Sequence, residues 1–373
     1  MATVTLPAAL ANKILFVLCL LLVPLASLAS AGGVRIRTLS PVIVLVIFVY
    51  GYALSFLGDT DRELTRQFIL AVSVLLLIYL IEWYGIDFER IVKASGIVLC
   101  LFTGVFYYAI IVTPDSTLGA YFSDHFLEYS LVATGERANL ADDPLFMFRV
   151  GTAPFLFLPF CLFVISFLRE RRVRDAVALL IIAATIAVST SRALILGCLI
   201  ATGYLVMSRL RPSRQMVLLC VAAAAGLLVA QYLITQTTLF SLTEESNAVK
   251  VGHAVSFAEH MTIRGMLFGD GLASYYYSIG RNAVLAHTEI TLLDLIRYFG
   301  FPLTAVLYAA LLFPSLRRDS YRGERRTCVF LFVLYLAMSL TNPVLLNSFG
   351  LLIVLWYWSR ILGSAAPQAG VAA

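Results

Sequence analysis

Apolar stretches separated by short polar breaks recur along the whole chain. They lie near 12–32, 39–57, 68–84, 94–113, 150–168, 176–190, 193–207, 216–235, 300–316, 328–342 and 346–363. Most approach the roughly 20 residues that an α-helix needs to cross about 30 Å of hydrocarbon. The pattern predicts an all-α, multi-pass transmembrane helical bundle of about 11 spans, range 10–12, forming one polytopic domain over 1–373. Arginine clusters mark the cytoplasmic breaks at Arg169–Arg174, Arg209–Arg214 and Arg317–Arg326. The two long breaks, 114–149 and 236–290, then face outward, the second as a large and partly helical loop. The N-terminus carries Lys13, an apolar stretch and Ala-Ser-Leu-Ala-Ser-Ala31, which resembles a signal peptide. The next apolar stretch follows almost at once, so a retained first span is expected, and counting spans back from the arginine clusters puts the N-terminus outside.

One stretch breaks the simple alternation. From Ala176 to Met207 the chain runs 32 residues with a single charge, Arg192, and arginine clusters bracket both ends. If both clusters stay in the cytoplasm, the stretch enters and leaves the bilayer from one side as a helical hairpin. Its turn, Ser189-Thr-Ser-Arg192, then sits at or just inside the outer face. A charge deep in the bilayer costs about 2.5–3.5 kcal/mol on insertion scales, so an arginine there marks a functional site.

Composition sharpens the class. The chain is 61% hydrophobic and 13% charged with mean hydropathy +0.91, which is integral membrane composition. The net charge of +5 belongs to the cytoplasmic breaks, and no basic run is interleaved with stacking aromatics, so nucleic-acid binding is excluded. Arginine outnumbers lysine 24 to 3, a bias of genome composition to which phosphate recognition can add. Cys19, Cys100, Cys161, Cys198, Cys220 and Cys328 all lie in apolar stretches, with neither disulfide nor metal spacing. His125, His253, His260 and His287 all lie in the two outer loops, so haem ligation between spans is excluded. Asp59-Thr-Asp61 has the form of a short metal motif, and Glu82 near a span end is expected to snorkel.

The second outer loop ends in Phe268-Gly-Asp-Gly-Leu-Ala-Ser-Tyr-Tyr-Tyr277, then Ala286-His-Thr-Glu-Ile-Thr-Leu-Leu-Asp-Leu-Ile-Arg-Tyr-Phe-Gly300. Read as a helix opening at His287, this places His287 and Asp294 on one face, with Asp294 paired to Arg297 one turn on. A histidine at a helix mouth facing arginines suits a general base, or an interfacial histidine that hydrogen-bonds a loop. Tyr275, Tyr276 and Tyr277 suit either a sugar-stacking platform or an interfacial aromatic belt.

Taken in order over about residues 145–316, these pieces resemble the superfamily of O-antigen ligases and Wzy-type polysaccharide polymerases. The pieces are the hairpin Ser-Thr-Ser-Arg-Ala-Leu-Ile-Leu, the large outer loop, the Gly-x-Gly with aromatics, and His-Thr-Glu before a helix ending Tyr-Phe-Gly. Phe148-Arg-Val-Gly151 is similar to the Arg-x-x-Gly entry of these proteins with one residue fewer, and Thr288 stands where asparagine is frequent. The resemblance implies a GT-C-like fold in a bacterial inner membrane, with the active site facing the periplasm. It implies an inverting glycosyltransferase whose donor is an undecaprenyl-pyrophosphate-linked glycan and whose acceptor is another glycan; with arginines available to neutralise the leaving group, neither cofactor nor metal is required. His287, Arg192, Glu289 and Asp294 would be catalytic, His287 deprotonating the acceptor hydroxyl with Glu289 or Asp294 orienting it. Arg149, Arg264, Arg281, Arg297, Ser191 and the three tyrosines would bind substrate. Polymerisation of lipid-linked repeat units fits the His-Thr-Glu region better than ligation to lipid A core, and a separate chain-length regulator is compatible with either. A transporter or flippase for a lipid-linked anion would instead need ionisable residues through the depth of the bundle, whereas here they gather at one face.

Overall fold

The computed structural model describes residues 37–123, 132–140, 143–210, 245–315, 324–340 and 342–363, together with Leu21 and Gln231. Apart from Leu21 and Gln231, the expected spans at 12–32 and 216–235 lie outside the described residues, as do His125, Cys19, Cys220 and the arginines at 211–214 and 317–322. The chain is mostly helical, with little sheet. Four helices among the described residues are long and apolar enough to cross a membrane by length and composition: Arg62–Tyr84, Phe88–Val112, Ala153–Glu170 and Thr291–Leu312. Shorter apolar helices occupy Ser40–Leu54, Arg192–Met207 and Phe349–Gly363.

In chain order, α1 is Ser40–Leu54, α2 Arg62–Ser73, α3 Leu77–Tyr84, α4 Phe88–Tyr107 and α5 Thr117–Phe122. A hairpin of β1 (Val132–Leu140) and β2 (Asp143–Val150) precedes α6 (Phe157–Glu170), α7 (Val173–Val188) and α8 (Arg192–Met207). Then come α9 (Glu245–His260), α10 (Ile263–Phe268), β3 (Tyr276–Ser278), β4 (Ala283–Leu285), α11 (Thr291–Leu312), α12 (Glu324–Leu340) and α13 (Ser348–Gly363). The helical expectation holds, with two short β-hairpins as the only strands among the described residues. Their cause is a period of two: Phe148 and Val150 are buried on one side of β2, while Met147 and Arg149 are half-buried on the other.

The chain forms two compact units, each described by itself: Lys93–Val251, and the segments 2–92 and 252–373. In the first, α7 and α8 both pack on α6. Gly96 of α4 admits the Pro159 ring at the start of α6, and Lys93 Nζ donates to Ser166 Oγ at 2.6 Å. The buried Phe148 meets Tyr107 edge-on at 5.3 Å, tying β2 to α4.

The second unit is organised around a broken helix. Gly300 (φ 76°) interrupts α11, and Pro302, two residues on, has no N–H for the Tyr298 carbonyl. The loop Gly269-Asp-Gly271 supplies what the break removes: Asp270 N donates to Arg297 O at 2.7 Å and Gly271 N to Tyr298 O at 3.3 Å. Gly269 (φ 79°) and Gly300 let the two backbones touch, since a Cβ on either would meet the other strand of chain. The same loop seals onto α1, where Leu272 N donates to Gly51 O at 2.9 Å, and Phe299 fills the space that the bare Gly51 leaves. Trp358 Nε1 donates to Leu311 O at the far end, where Arg360 pairs with Glu89 at 2.8 Å. The Glu82 carboxylate, expected to snorkel, is instead screened from solvent.

Candidate functional site

The helix at the mouth of α11 begins at Thr291, four residues later than the sequence pattern suggests, so His287 does not share a helix face with Asp294. It lies in a turn instead, and the turn is clamped on both sides. The Ala286 carbonyl before it accepts from Arg297 Nη2 at 2.7 Å and from Tyr298 Oη at 2.6 Å. The Thr288 amide after it donates to Asp294 Oδ2 at 2.7 Å, and Ile290 N donates to Thr288 Oγ1 at 3.1 Å. Between these two buried anchors the imidazole of His287 is exposed.

Asp294 and Arg297 do pair, at 3.1 Å, as helix neighbours three apart should. Both are buried, and Arg297 is only 1% exposed. Its guanidinium lies 4.3 Å from the centre of the Tyr276 ring and 4.9 Å from that of Tyr298, and it also donates to the Ser274 carbonyl. The expected substrate-binding role of Arg297 is therefore corrected: it is a buried strut, since its donors are engaged by carbonyls and a carboxylate. Tyr276 is corrected with it, because burial under Arg297 removes it from any sugar platform. Burial pushes its phenol up to about 12, against the opposing pull of Arg297. Asp294 acts on the backbone beside His287 rather than on the imidazole.

Glu289 and Arg281 form an ion pair at 2.7 Å that joins the β3–β4 turn to the His287 turn. Tyr277 is exposed and donates to Asn282, Tyr275 is half-buried, and Arg264 is exposed on α10. Asp61 caps α2 by accepting from Leu64 N at 2.9 Å, a helix-start role for one half of the Asp-x-Asp motif. Among the described residues no group of three histidine, cysteine or acidic side chains is placed to hold a metal.

One buried histidine escapes a reading by motif. His253 of α9 is 1% exposed, and its Nδ1 lies 2.6 Å from Ser278 Oγ. One turn on, Ser256 Oγ accepts from Ile279 N at 2.8 Å, and Gly252 lets α9 lie against Gly280. Burial lowers the His253 pKa, Glu289 and Asp294 oppose this, and Arg281 and His287 add to it. The sequence signal is the run of small and polar residues Gly252, His253 and Ser256 along one side of α9.

In the first unit the hairpin forms where the charge pattern places it, with α7 ending at Val188 and α8 starting at Arg192. Thr190 takes a left-handed conformation (φ 45°), and Ser189 Oγ donates to Ile186 O at 2.7 Å. Ser191 holds the N-cap position without a side-chain cap bond. Since α6, α7 and α8 alternate in direction, Arg149 at the end of β2 and Arg192 belong to the same end of the unit. Both are half-buried. A guanidinium at a helix N-terminus adds to the positive end of the dipole, and the combination favours an anion.

The chain matches no protein-family model and no curated protein sequence.

Proposed function

We propose that the protein is a membrane glycosyltransferase of about 11 spans that polymerises undecaprenyl-pyrophosphate-linked repeat units on the outer face of a bacterial inner membrane. The observation that carries this proposal is the presentation of His287: an exposed imidazole on a turn whose flanking backbone groups are locked by a buried Asp294–Arg297 pair. A surface histidine without a task needs no such frame, whereas an acid–base catalyst gains from fixed orientation.

In the proposed step His287 takes the proton of the acceptor hydroxyl while its oxygen attacks C1 of the donor sugar. The bond from C1 to the pyrophosphate oxygen breaks, and the anomeric centre inverts. The departing pyrophosphate carries the negative charge, which suits guanidinium donors, and within the first unit Arg149, Arg192 and Ser191 are the anion-binding candidates. Glu289 holds Arg281 beside the histidine, and Tyr275 and Tyr277 offer ring faces to sugar. Ligation to lipid A core shares these residues and differs only in acceptor.

The test is complementation of a gene deletion with wild type, His287→Ala and Arg192→Ala, reading the surface glycan by gel and the protein by membrane immunoblot. Loss of the ladder with one repeat left on core means polymerisation, and bare core with accumulated lipid-linked polymer means ligation. A normal ladder from both variants overturns the assignment.

A further inference from the structure

The second outer loop is not wholly aqueous. From its packing and exposed surface, we propose that Met261–Phe268 lies in the outer interface of the bilayer, with its apolar side chains among lipid acyl chains and Arg264 at the headgroups. This inference rests on the chain being a membrane protein and is independent of any glycosyl transfer.

Two helical rulers set the depth. Phe268 O accepts from Tyr50 Oη at 2.9 Å, and the next residues seal onto Gly51. Gly51 is eleven residues along α1 from Ser40, or about 17 Å. The backbone of Leu267 and Phe268 also touches Gly300, which lies twelve residues from Leu312, or about 18 Å along α11. With Ser40 and Leu312 at the inner edge, both put the Phe268 end of the segment in the outer half of a hydrocarbon core about 30 Å thick, short of its outer edge. A third element marks the boundary: Thr65 Oγ1 donates to Leu272 O at 3.1 Å, and its neighbours Arg62, Glu63, Arg66 and Gln67 are exposed, whereas apolar residues follow from Phe68. The segment is thus level with the polar edge of α2.

Its surface suits that level. Ile263 is 82% exposed and Phe268 58%, and Met266 and Leu267 are exposed between them. A helix of six residues in water would gain nothing from presenting four large apolar side chains. Gly265, the one buried residue of α10, sits against Asp270, which leaves the rest facing away from the protein. The exposed Phe301 follows Gly300 directly, and Val49 and Tyr52 flank Tyr50 on α1, so the apolar surface continues onto two helices that bilayer lipid must cover. An apolar face with one basic residue is the composition of an interfacial segment.

Nitroxide labels at 263, 266 and 268, and a fourth at 264, in the full chain with its six cysteines replaced and reconstituted in phosphatidylcholine vesicles, test this. Controls are labels at Val49 on α1 and at Arg281 on the exposed hairpin. Power saturation should show oxygen exceeding aqueous nickel chelate at all three sites, as at Val49, with label 264 nearer the Arg281 value. Nickel accessibility equal to that of Arg281 overturns the proposal, and so does low accessibility to both reagents, which means protein covers the face. Retention of a monodisperse elution profile by each labelled chain excludes unfolding as the cause.

Discussion

The mouth of α11 and the turn between α7 and α8 each place one arginine against apolar surroundings, and they use it in opposite ways. Arg297 is enclosed by two tyrosine rings, and it bonds two carbonyls and one carboxylate. Its charge is consumed by the fold. Arg192 is half-buried at a helix start, where the dipole already favours an anion. Sequence weighs the two alike, as arginines beside outer ends of spans. What separates them in the tertiary structure is burial: Arg297 is fully enclosed, whereas Arg192 stays half-buried at its helix start.

The sharpest way to break this comparison is to remove each arginine in turn. Arg297→Ala strands the buried Asp294 and should cost about 3–5 kcal/mol, read as a fall in Tm of the purified protein. Arg297→Lys should recover little, because an ammonium cannot reproduce the fork that reaches Ala286 and Asp294. Arg192→Ala, at a half-buried position, should lower Tm less than Arg297→Ala and, under the proposed function, abolish the glycan ladder. Equal Tm losses for Arg297→Ala and Arg192→Ala would dissolve the distinction.

A smaller effect tests whether the α11 break belongs to the same frame. Gly300→Ala forces a side chain into a left-handed conformation against the Leu267 carbonyl, and should cost about 1–3 kcal/mol. Tm should fall, and the exchange protection of the Asp270 and Gly271 amides should fall with it. Unchanged protection there would separate the break from the loop.

His253 sets a pH dependence for the second unit alone. Its pKa is depressed in the fold by burial, so the unfolded chain binds the proton first as pH falls below about 6.5. Stability should be flat above that value and decline below it, by at most about 1.4 kcal/mol per pH unit, until the folded-state pKa is passed. His253→Gln should flatten this part of the Tm profile from pH 7 to 5, and an unchanged slope would place its origin elsewhere. The smallest expected change is Thr262→Ala. It removes the cap bond to Gly265 N at 3.0 Å and should cost about 1 kcal/mol in Tm.

How far each part was legible follows its range in sequence. The α7–α8 hairpin was readable to within a few residues, because a charge pattern and two arginine clusters act locally. The Asp294–Arg297 pair was readable for the same reason, being one helical turn. The β1–β2 hairpin is not legible although alternation is visible at Phe148 and Val150, since aromatic and apolar residues there also suit a span entry. The helix pattern extends back to His287 because Ala286–Ile290 carries helix-compatible residues, and what starts α11 at Thr291 instead is the Thr288 amide held by Asp294.

By itself, then, the sequence determined a mostly helical membrane protein, the hairpin with Arg192 at its turn, and the presence of a histidine, acids and arginines at the mouth of α11. Those follow from hydropathy and charge, which act on the chain a turn or a span at a time. Which of these polar groups are used up inside the protein was decided only by tertiary structure. Arg297 and Tyr276 became internal, and His287 remained outside, because Gly269–Gly271 fits the break at Gly300 and folds the loop back over α11. That fit is between residues some thirty positions apart, and no local pattern announces it.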